Sequence, residues 1–188
     1  MVADTVLSPK ALLDLVVIKY LYDKFPDASS FQLSWLRSLA ICSPALASVA
    51  VRRLELHNVM LVNNVELGVA ISQYVPFLSS CSGADIVRHG WKHEPPKALS
   101  DVLESTLGAV LVDSAYDLEV ATAITLNLMN DVLEALSTTL KMNPISELLE
   151  WTAGQGCREV SFQYVTRECY LVSMVDGWVP TGKRRAVL

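Results

Sequence analysis

The chain has 188 residues, of which 52% are hydrophobic and 19% are charged, and its formal net charge at pH 7 is −5. This length predicts one domain of ordinary size with a small appendage, and the high apolar content excludes the disordered and collagen-like classes. The acidic balance argues against nucleic-acid binding by the whole surface, although it leaves room for a local basic patch or for contact bridged by a metal ion.

Apolar residues recur at helical spacing from Leu12 to about Ser137, which predicts a mainly α fold with about six helices in a compact bundle over residues 11–140. Side chains typical of helix N-termini mark where these helices begin. The predicted starts are Ser29 or Ser30, Ser43 followed by Pro44, Asn63 or Asn64, and Asp117. The segment Ser79–Pro96 is rich in serine, glycine and proline and is predicted to be a loop.

After Pro144 the hydrophobic spacing changes from helical to alternating. A short helix is predicted first, and two strands that pair antiparallel within residues 157–175 follow it. In chain order these are the helix Ile145–Trp151 and the strands around Val160–Tyr164 and Tyr170–Met174. The dipeptide Asp176–Gly177 predicts a hairpin turn after the second strand.

The distribution of charge supports the same division. Residues 1–150 hold ten Lys and Arg against seventeen Asp and Glu, whereas residues 151–188 hold five against three. A helix followed by two or three strands is too small to close a core of its own. We therefore predict a helical domain over residues 1–140 and a short, incomplete α/β segment over residues 144–188.

Neither a membrane span nor a secretory signal is predicted. The longest charge-free run, Leu67–Ala84, contains Gln73, Pro76 and four serines, and the apolar stretch Ala11–Tyr22 lacks a basic flank and a cleavage site. The four cysteines lack the density and spacing of a disulfide framework or a zinc site, and they suit a reducing compartment. We therefore expect an intracellular protein, cytoplasmic or nuclear and not secreted, with no membrane partner.

The most informative segment is Pro96–Asp113. On a helix, Lys97, Asp101, Glu104 and Gly108 share one stripe, opposite Leu99, Val102, Leu103, Thr106 and Val110. Two carboxylates one turn apart can converge on one cation, and hard divalent ions such as Mg²⁺ take carboxylates together with waters and substrate phosphates. The glycine would let another backbone come close. The pattern alone is also that of the solvated face of an amphipathic helix.

This segment resembles the second signature of ribonuclease III domains, in which a Lys, then an Asp and a Glu three residues on, precede a Gly-Ala step and another Asp. Upstream, Leu33–Ser38 and Leu46–Val51 resemble the Leu-Arg and Leu-Ala-x-x-Ala segments of the same family. The similarity is greatest to the last ribonuclease III domain of fungal Dicer-like proteins and covers most of residues 11–140. It implies an all-helical, dimeric fold that cuts double-stranded RNA with two metal ions, in RNA processing and silencing.

The resemblance also implies roles for residues of this chain. Asp101 and Glu104 would hold Mg²⁺ or Mn²⁺, and Lys97 would orient nearby groups or contact the scissile phosphate. The partners would be double-stranded RNA and a second ribonuclease III domain, in a homodimer or a heterodimer. Residues 144–188 would begin a double-stranded-RNA-binding domain whose second helix starts with Lys183, Arg184 and Arg185 and meets phosphates.

One departure from the family concerns the first signature, Glu-Arg-Leu-Glu-Phe-Leu-Gly-Asp, which supplies a further metal-binding Glu and Asp. Here Lys10 stands where that Asp would be, Pro9 where the Gly would be and Val6 where the liganding Glu would be. Half of the metal site is therefore absent from this sequence. A lysine in place of a liganding carboxylate opposes the binding of a divalent ion.

Two classes of function follow from these observations. The first is an endoribonuclease that hydrolyses double-stranded RNA with the help of a metal ion. The alternative is a non-catalytic module that keeps the ribonuclease III fold for dimerisation or RNA binding, or a gene fragment that lacks half the metal site and is truncated at its ends. We predict that the chain cleaves double-stranded RNA weakly or not at all.

Overall fold

The structure is a computed structural model that describes residues 9–142, 144–154, 159–165, 168–175 and 185–187. The chain divides into two compact units, Met1–Thr139 and Leu140–Leu188. Helices form the described part of the first unit, and one helix and a small sheet form the described part of the second. The prediction of a mainly α fold is confirmed.

The helices of the first unit follow one another through short connections. In chain order they are α1 (Pro9–Lys24), α2 (Ser30–Ala40), α3 (Ser43–Arg52), α4 (Val65–Ser80), α5 (Gly83–His89), α6 (Lys97–Asp113) and α7 (Leu118–Glu134), with short 3-10 helices at Leu56–Asn58 and Gly90–Lys92. Side-chain caps begin several of them, because the first backbone N–H groups of a helix need acceptors. Ser29, Asn64 and Asp117 accept such hydrogen bonds, which confirms three of the predicted helix starts.

Helix α3 lies at the centre of this unit and packs most extensively against α6. All residues from Pro44 to Val51 are buried. A helix that is buried on every side needs neighbours all round, and α3 contacts α2, α4, α5, α6 and α7. Helix α6 buries a series of leucines at four-residue spacing, which are Leu99, Leu103, Leu107 and Leu111. Burial of this one stripe fixes the rotation of α6 about its own axis.

The junction of α2 and α3 corrects one predicted helix start by a residue. Cys42, and not Ser43, is the residue before the first helical one, and its side chain makes no capping hydrogen bond. Pro44 fits the first turn because it has no N–H to satisfy, so it marks the turn but not the cap. The two helices bend by 43° here. Among the described residues no single helix has the length and apolar character to cross a membrane, and this bent pair meets the test by length and composition only.

The predicted loop Ser79–Pro96 is wrong for much of its length. Ser79 and Ser80 end α4, and residues 83–89 form α5. The hydroxyl of Ser82 accepts a hydrogen bond from the Asp85 N–H, and the Asp85 carboxylate accepts from the Ser82 N–H in return, which forms a capping box. Gly83 is a contact point, because a Cβ there would lie 2.2 Å from the carbonyl oxygen of Asp131. The serine and glycine that predicted a loop instead begin a helix and pack it against α7.

The second unit contains α8 (Pro144–Gly154), β1 (Glu159–Val165), β2 (Glu168–Val175) and β3 (Arg185–Val187). The described strands form an antiparallel sheet in the order β1-β2-β3. The register between β1 and β2 shifts by a bulge at Ser161 and Phe162. The predicted helix and the predicted antiparallel pair are both confirmed, whereas the hairpin predicted at Asp176–Gly177 lies outside the described residues.

Arg185 corrects the prediction that a basic cluster opens a second helix. The backbone of β3 pairs with β2, with Tyr170 opposite Arg185 and Glu168 opposite Val187. A strand edge presents unpaired N–H and C=O groups, and a third strand satisfies them where a helix would not. Arg185 therefore belongs to the sheet. Lys183 and Arg184 lie outside the described residues.

Candidate functional site

The side chains predicted to carry chemistry meet in a cleft of about 470 Å³ in the helical unit. Four helices contribute to its lining, which comprises Lys10 and Leu13 of α1, Arg37 and Ser38 of α2, Ile41 directly after α2, Ser43 and Leu46 of α3, and Lys97, Ser100, Asp101 and Glu104 of α6. We call this the α6 cleft. It brings Lys97, Asp101 and Glu104 together, and it adds Lys10 and Arg37 from helices far away in sequence.

The leucine stripe of α6 determines which side chains face this cleft. Leu99 and Leu103 are fully buried, whereas Asp101 and Glu104 are partly exposed. Val102, Thr106 and Val110 are predicted to lie on the apolar face, but in the structure they are only half-buried and lie at its margin. The buried face is centred on the leucines because they recur every four residues and reach furthest into the core.

One of the two carboxylates, that of Asp101, forms an ion pair with Lys97. Lys97 Nζ donates hydrogen bonds to both carboxylate oxygens of Asp101, each at 2.7 Å. This hydrogen bonding, with a smaller contribution from the charges of Asp101 and Glu104, raises the pKa of Lys97 above its usual value. The pair is open to solvent, since the Lys97 side chain is 80% exposed and that of Asp101 is 48% exposed. Such a pair contributes little to stability, and its main effect is that Lys97 competes with any other cation for the oxygens of Asp101.

Lys10 lies in the same cleft because α1 begins there. Pro9, the first residue of α1, packs against Gly108 of α6, where a Cβ would lie 2.7 Å from the proline Cγ. This contact holds the start of α1 beside the stripe that carries Glu104. The next residue, Lys10, is exposed and lines the α6 cleft. The position at which the family resemblance implies a liganding Asp therefore carries an ammonium group beside the two carboxylates.

Arg37 lies between the α6 cleft and a second cavity of about 460 Å³. Its guanidinium donates a hydrogen bond to Asp14, which lines the second cavity and is not among the lining residues of the α6 cleft. Asp14 is thus engaged elsewhere and does not replace the liganding carboxylate whose position Lys10 occupies. From the sequence, Arg37 is predicted only to belong to a segment that resembles the family, and no local signal predicts its position at the edge of the cleft. Only the fold brings Arg37 to the cleft that contains Asp101.

The side chains of the α6 cleft show whether it could coordinate a divalent ion. In the described part of the chain, no group of three or more His, Cys, Asp and Glu side chains is placed to hold a metal ion. Asp101 and Glu104 offer hard oxygen ligands one helical turn apart, which suits one such ion completed by water and phosphate. Lys10 and Lys97 add positive charge that opposes it. The residues therefore fit one weakly held ion and do not fit a pair of ions.

Comparison with known proteins places these helices in a family. Residues 10–115 match the model of the ribonuclease III domain, which is more than half of the chain. The chain belongs to the ribonuclease III domain family. The match begins at Lys10 and includes all the residues that line the α6 cleft.

Relatives of the chain include Dicer proteins and a bacterial ribonuclease. Endoribonuclease Dicer homolog 4 of Oryza sativa subsp. japonica is 36% identical over 74% of this chain and 8% of its own length. Endoribonuclease Dicer homolog 2 of Arabidopsis thaliana is 34% identical over 74% of this chain and 10% of its own length. Ribonuclease 3 of Moorella thermoacetica is 28% identical over 81% of this chain and 55% of its own length. The chain spans a tenth or less of the length of these two Dicer relatives.

Membership gives the α6 cleft a chemical context. Ribonuclease III domains act on double-stranded RNA, depend on divalent metal ions and commonly work in pairs. In this ribonuclease III domain, Asp101 and Glu104 both line the cleft, and so does Lys10, for which the family resemblance implies a carboxylate. The basic residues Lys183 and Arg184 lie outside the described residues, so their predicted contact with RNA stays a prediction.

Proposed function

We propose that the chain is an endoribonuclease-type domain that binds double-stranded RNA at the α6 cleft and hydrolyses its phosphodiesters slowly, with Mg²⁺ or Mn²⁺ as the metal ion. One observation carries the proposal, namely that Asp101 and Glu104 line one cleft within the part of the chain that matches the family. Two carboxylates alone would repel RNA, so their presence beside lysines in an open cleft favours a site that handles a cation and a phosphate together.

The residues of the cleft have separate roles in this proposal. Asp101 and Glu104 would hold the divalent ion, which when bound would polarise a phosphoryl oxygen and lower the pKa of a water molecule. Lys97 stays protonated, because Asp101 raises its pKa, and it therefore acts as a positive charge and not as a general base. If Asp101 held the ion, the Lys97 ammonium would be released to contact a phosphate oxygen in the same cleft.

The same residues account for slow hydrolysis. Two-metal phosphodiester cleavage stabilises the attacking and leaving oxygens together, with ions about 3.5–4 Å apart. Asp101 and Glu104 supply ligands for one ion, and Lys10 supplies a positive charge where a second set of ligands would be needed. We therefore propose cleavage that is weak or absent, with duplex binding as the more prominent activity.

A second candidate function is a non-catalytic module of the same fold that binds RNA or a partner domain. The Lys97–Asp101 pair favours it, because both oxygens of one carboxylate are already bonded to an ammonium group. Both candidates imply pairing with another ribonuclease III domain. Such pairing is supported by an apolar cavity of about 840 Å³ that Pro9, Gly108 and Tyr116 line, and by the exposure of Val112 and Tyr116 beside it.

The proposal extends to the organisation of the whole protein. We propose a helical ribonuclease III domain over residues 1–140 and a partial double-stranded-RNA-binding domain over residues 144–188, within a Dicer-like protein of RNA processing and silencing. An α-β-β-β order in the described part of the second unit supports this domain assignment. The same kinship supports an intracellular location.

The decisive experiment compares Glu104→Gln with Glu66→Gln. Glu66 is an exposed acid of α4 that does not line the α6 cleft, so it controls for the loss of one surface charge. The purified chain is incubated with long duplex RNA and Mg²⁺ or Mn²⁺, and both duplex binding and cleavage are measured. We expect duplex binding and at most slow cleavage, which Glu104→Gln abolishes and Glu66→Gln preserves. Failure to bind duplex RNA at any ion concentration would contradict the proposal, and rapid cleavage would contradict the explanation for slow hydrolysis.

A further inference from the structure

We infer that Lys10 and Lys97 form a two-ammonium phosphate site in the α6 cleft, so that the RNA backbone binds there without a divalent ion. The inference rests on the proposed function, since it takes RNA as the ligand. It separates two requirements: hydrolysis would need a metal ion, whereas binding would not.

The charges around the cleft lead to this site. Its lining carries three cationic side chains and two carboxylates, which are Lys10, Arg37, Lys97, Asp101 and Glu104. Arg37 is already paired with Asp14, and both lie at the edge of the second cavity. The remaining two ammonium groups offset the two carboxylates of α6, as one divalent ion would do.

Lys10 is the cation that is available for a ligand. Its side chain forms no ion pair with any residue that the structure describes, and it is exposed at the cleft. The contact between Pro9 and Gly108 holds its backbone in place. A lysine at a fixed backbone position, with its side chain exposed in the cleft and without an ion pair among the described residues, is suited to a phosphate oxygen.

Lys97 of α6 provides the second ammonium group of the cleft. It lies in the first turn of α6 and is paired with Asp101 in an exposed contact that is cheap to break. A phosphate can therefore take over one of its hydrogen bonds while Asp101 keeps another. A divalent ion would have to displace Lys97 and approach Lys10 at the same time, so the two cations compete with the metal and not with the phosphate.

The test uses the exchange Lys10→Asp, with Lys19→Asp as the matched control. Lys19 is an exposed lysine of the same helix that does not line the cleft, so both variants change the net charge equally. Lys10→Gln removes the ammonium group without adding a carboxylate, and thermal unfolding of all variants verifies that they fold. Three quantities are measured: duplex RNA affinity in EDTA and in Mg²⁺, affinity for Mn²⁺ without RNA, and affinity for inorganic pyrophosphate in EDTA.

We expect the dissociation constants of the unmodified chain for duplex RNA in EDTA and in Mg²⁺ to agree within about threefold, because lysine side chains neutralise the bound phosphates. Lys10→Asp and Lys10→Gln should weaken binding of RNA and pyrophosphate in EDTA by about tenfold relative to Lys19→Asp, through the loss of one phosphate contact. Lys10→Asp should also bind Mn²⁺ about tenfold more tightly, since a carboxylate replaces a repelling charge.

The outcomes separate this inference from the proposed function. Duplex binding that requires Mg²⁺, or equal behaviour of the Lys10 and Lys19 variants, would overturn the inference and leave the proposed function standing. If no duplex RNA binds but pyrophosphate binds in EDTA and depends on Lys10, the phosphate site is supported and the proposed function is wrong. If neither RNA nor pyrophosphate binds, both are overturned.

Discussion

Gly108 of α6 packs directly against Pro9 of α1, with room for a hydrogen atom but not for a methyl group: a Cβ at residue 108 would lie 2.7 Å from Cγ and 3.3 Å from Cβ of the proline. These residues are 99 positions apart in the sequence, and their contact joins the start of α1 to the helix that carries Asp101 and Glu104. Lys10 owes its place in the α6 cleft to this contact.

The first prediction concerns the effect of this contact on the stability of the fold. Gly108→Ala should lower the free energy of unfolding, because the overpacking cost of about 1–3 kcal/mol exceeds the gain of about 1 kcal/mol from replacing a helical glycine. Gly68→Ala is the control, since a Cβ there meets nothing within 4 Å. It should raise the free energy of unfolding by about 0.5–1 kcal/mol. Urea denaturation measures the free energy of unfolding of both variants. If both substitutions raised it equally, Pro9 would be able to move away from the added methyl group and would not fix the start of α1.

The second prediction concerns Lys97. Lys97→Met keeps most of the length of the side chain but releases both oxygens of Asp101 and removes a charge that repels metal ions. Affinity for Mn²⁺ should therefore rise, by about fivefold to tenfold, while binding of duplex RNA in EDTA should fall. Lys92→Met is the control, because Lys92 precedes α6 and is not among the lining residues of the cleft. Titration with Mn²⁺ followed by electron paramagnetic resonance measures the first effect, and unchanged affinity would show that the ion pair does not compete with a metal ion.

The third prediction concerns the pH dependence of stability at the start of α5. Hydrogen bonds from the Ser82 side chain and backbone lower the pKa of Asp85 below 3.8. A carboxyl group with a lowered folded-state pKa stabilises the fold fully above its unfolded pKa, and this stabilisation is lost as the pH falls through the folded pKa. Ser82→Ala removes the capping hydroxyl and should therefore destabilise the chain most at neutral pH.

The difference in stability between the unmodified chain and Ser82→Ala should narrow as the pH falls below about 4, because the unfolded Asp85 carboxyl then takes up a proton that the capped carboxylate of the unmodified chain resists. Denaturant unfolding at several pH values between 3 and 7 provides the measurement. Ser79→Ala is a suitable control, since the Ser79 hydroxyl donates to a backbone carbonyl within α4 and contacts no titrating group among the described contacts. A difference that stayed constant over this range would mean that Asp85 takes no part in the cap.

Local features of the fold could be predicted from the sequence because they depend on neighbours in the chain. The caps at Ser29, Asn64 and Asp117 use acceptors two or three residues from their donors, and the hydrophobic spacing of α6 and α7 needs no knowledge of distant residues. Ser82 and Gly83 misled the prediction because the same residue types favour loops, caps and close packing. Only the partner helix α7, with Asp131 against Gly83, decides among these.

Only the α6 residues of the candidate site could be predicted from the sequence, because only they depend on neighbours in the chain. Asp101 and Glu104 share a face through helical geometry alone, whereas the positions of Lys10 and Arg37 depend on how α1 and α2 pack against α6. A basic residue followed by a short apolar run, as at Arg185, gives equal signals for a helix and a strand. Pairing with β2 decides between them, and the sequence holds no local sign of it.

The last prediction tests the account of the metal site. The combined exchange Val6→Glu, Pro9→Gly and Lys10→Asp restores the first-signature residues that the family resemblance implies, and it replaces the ammonium group in the cleft by a carboxylate. Cleavage of long duplex RNA in Mg²⁺ should rise by about a hundredfold or more, because a second ion can then be held within 4 Å of the first. Adding Glu104→Gln to the same protein should abolish the gain, since both ions would depend on that carboxylate. The partial exchange Val6→Glu with Pro9→Gly, which leaves Lys10 in place, should increase the cleavage rate only slightly. If that partial exchange cleaved as fast as the full one, Lys10 would not be the group that keeps the second ion out of the cleft.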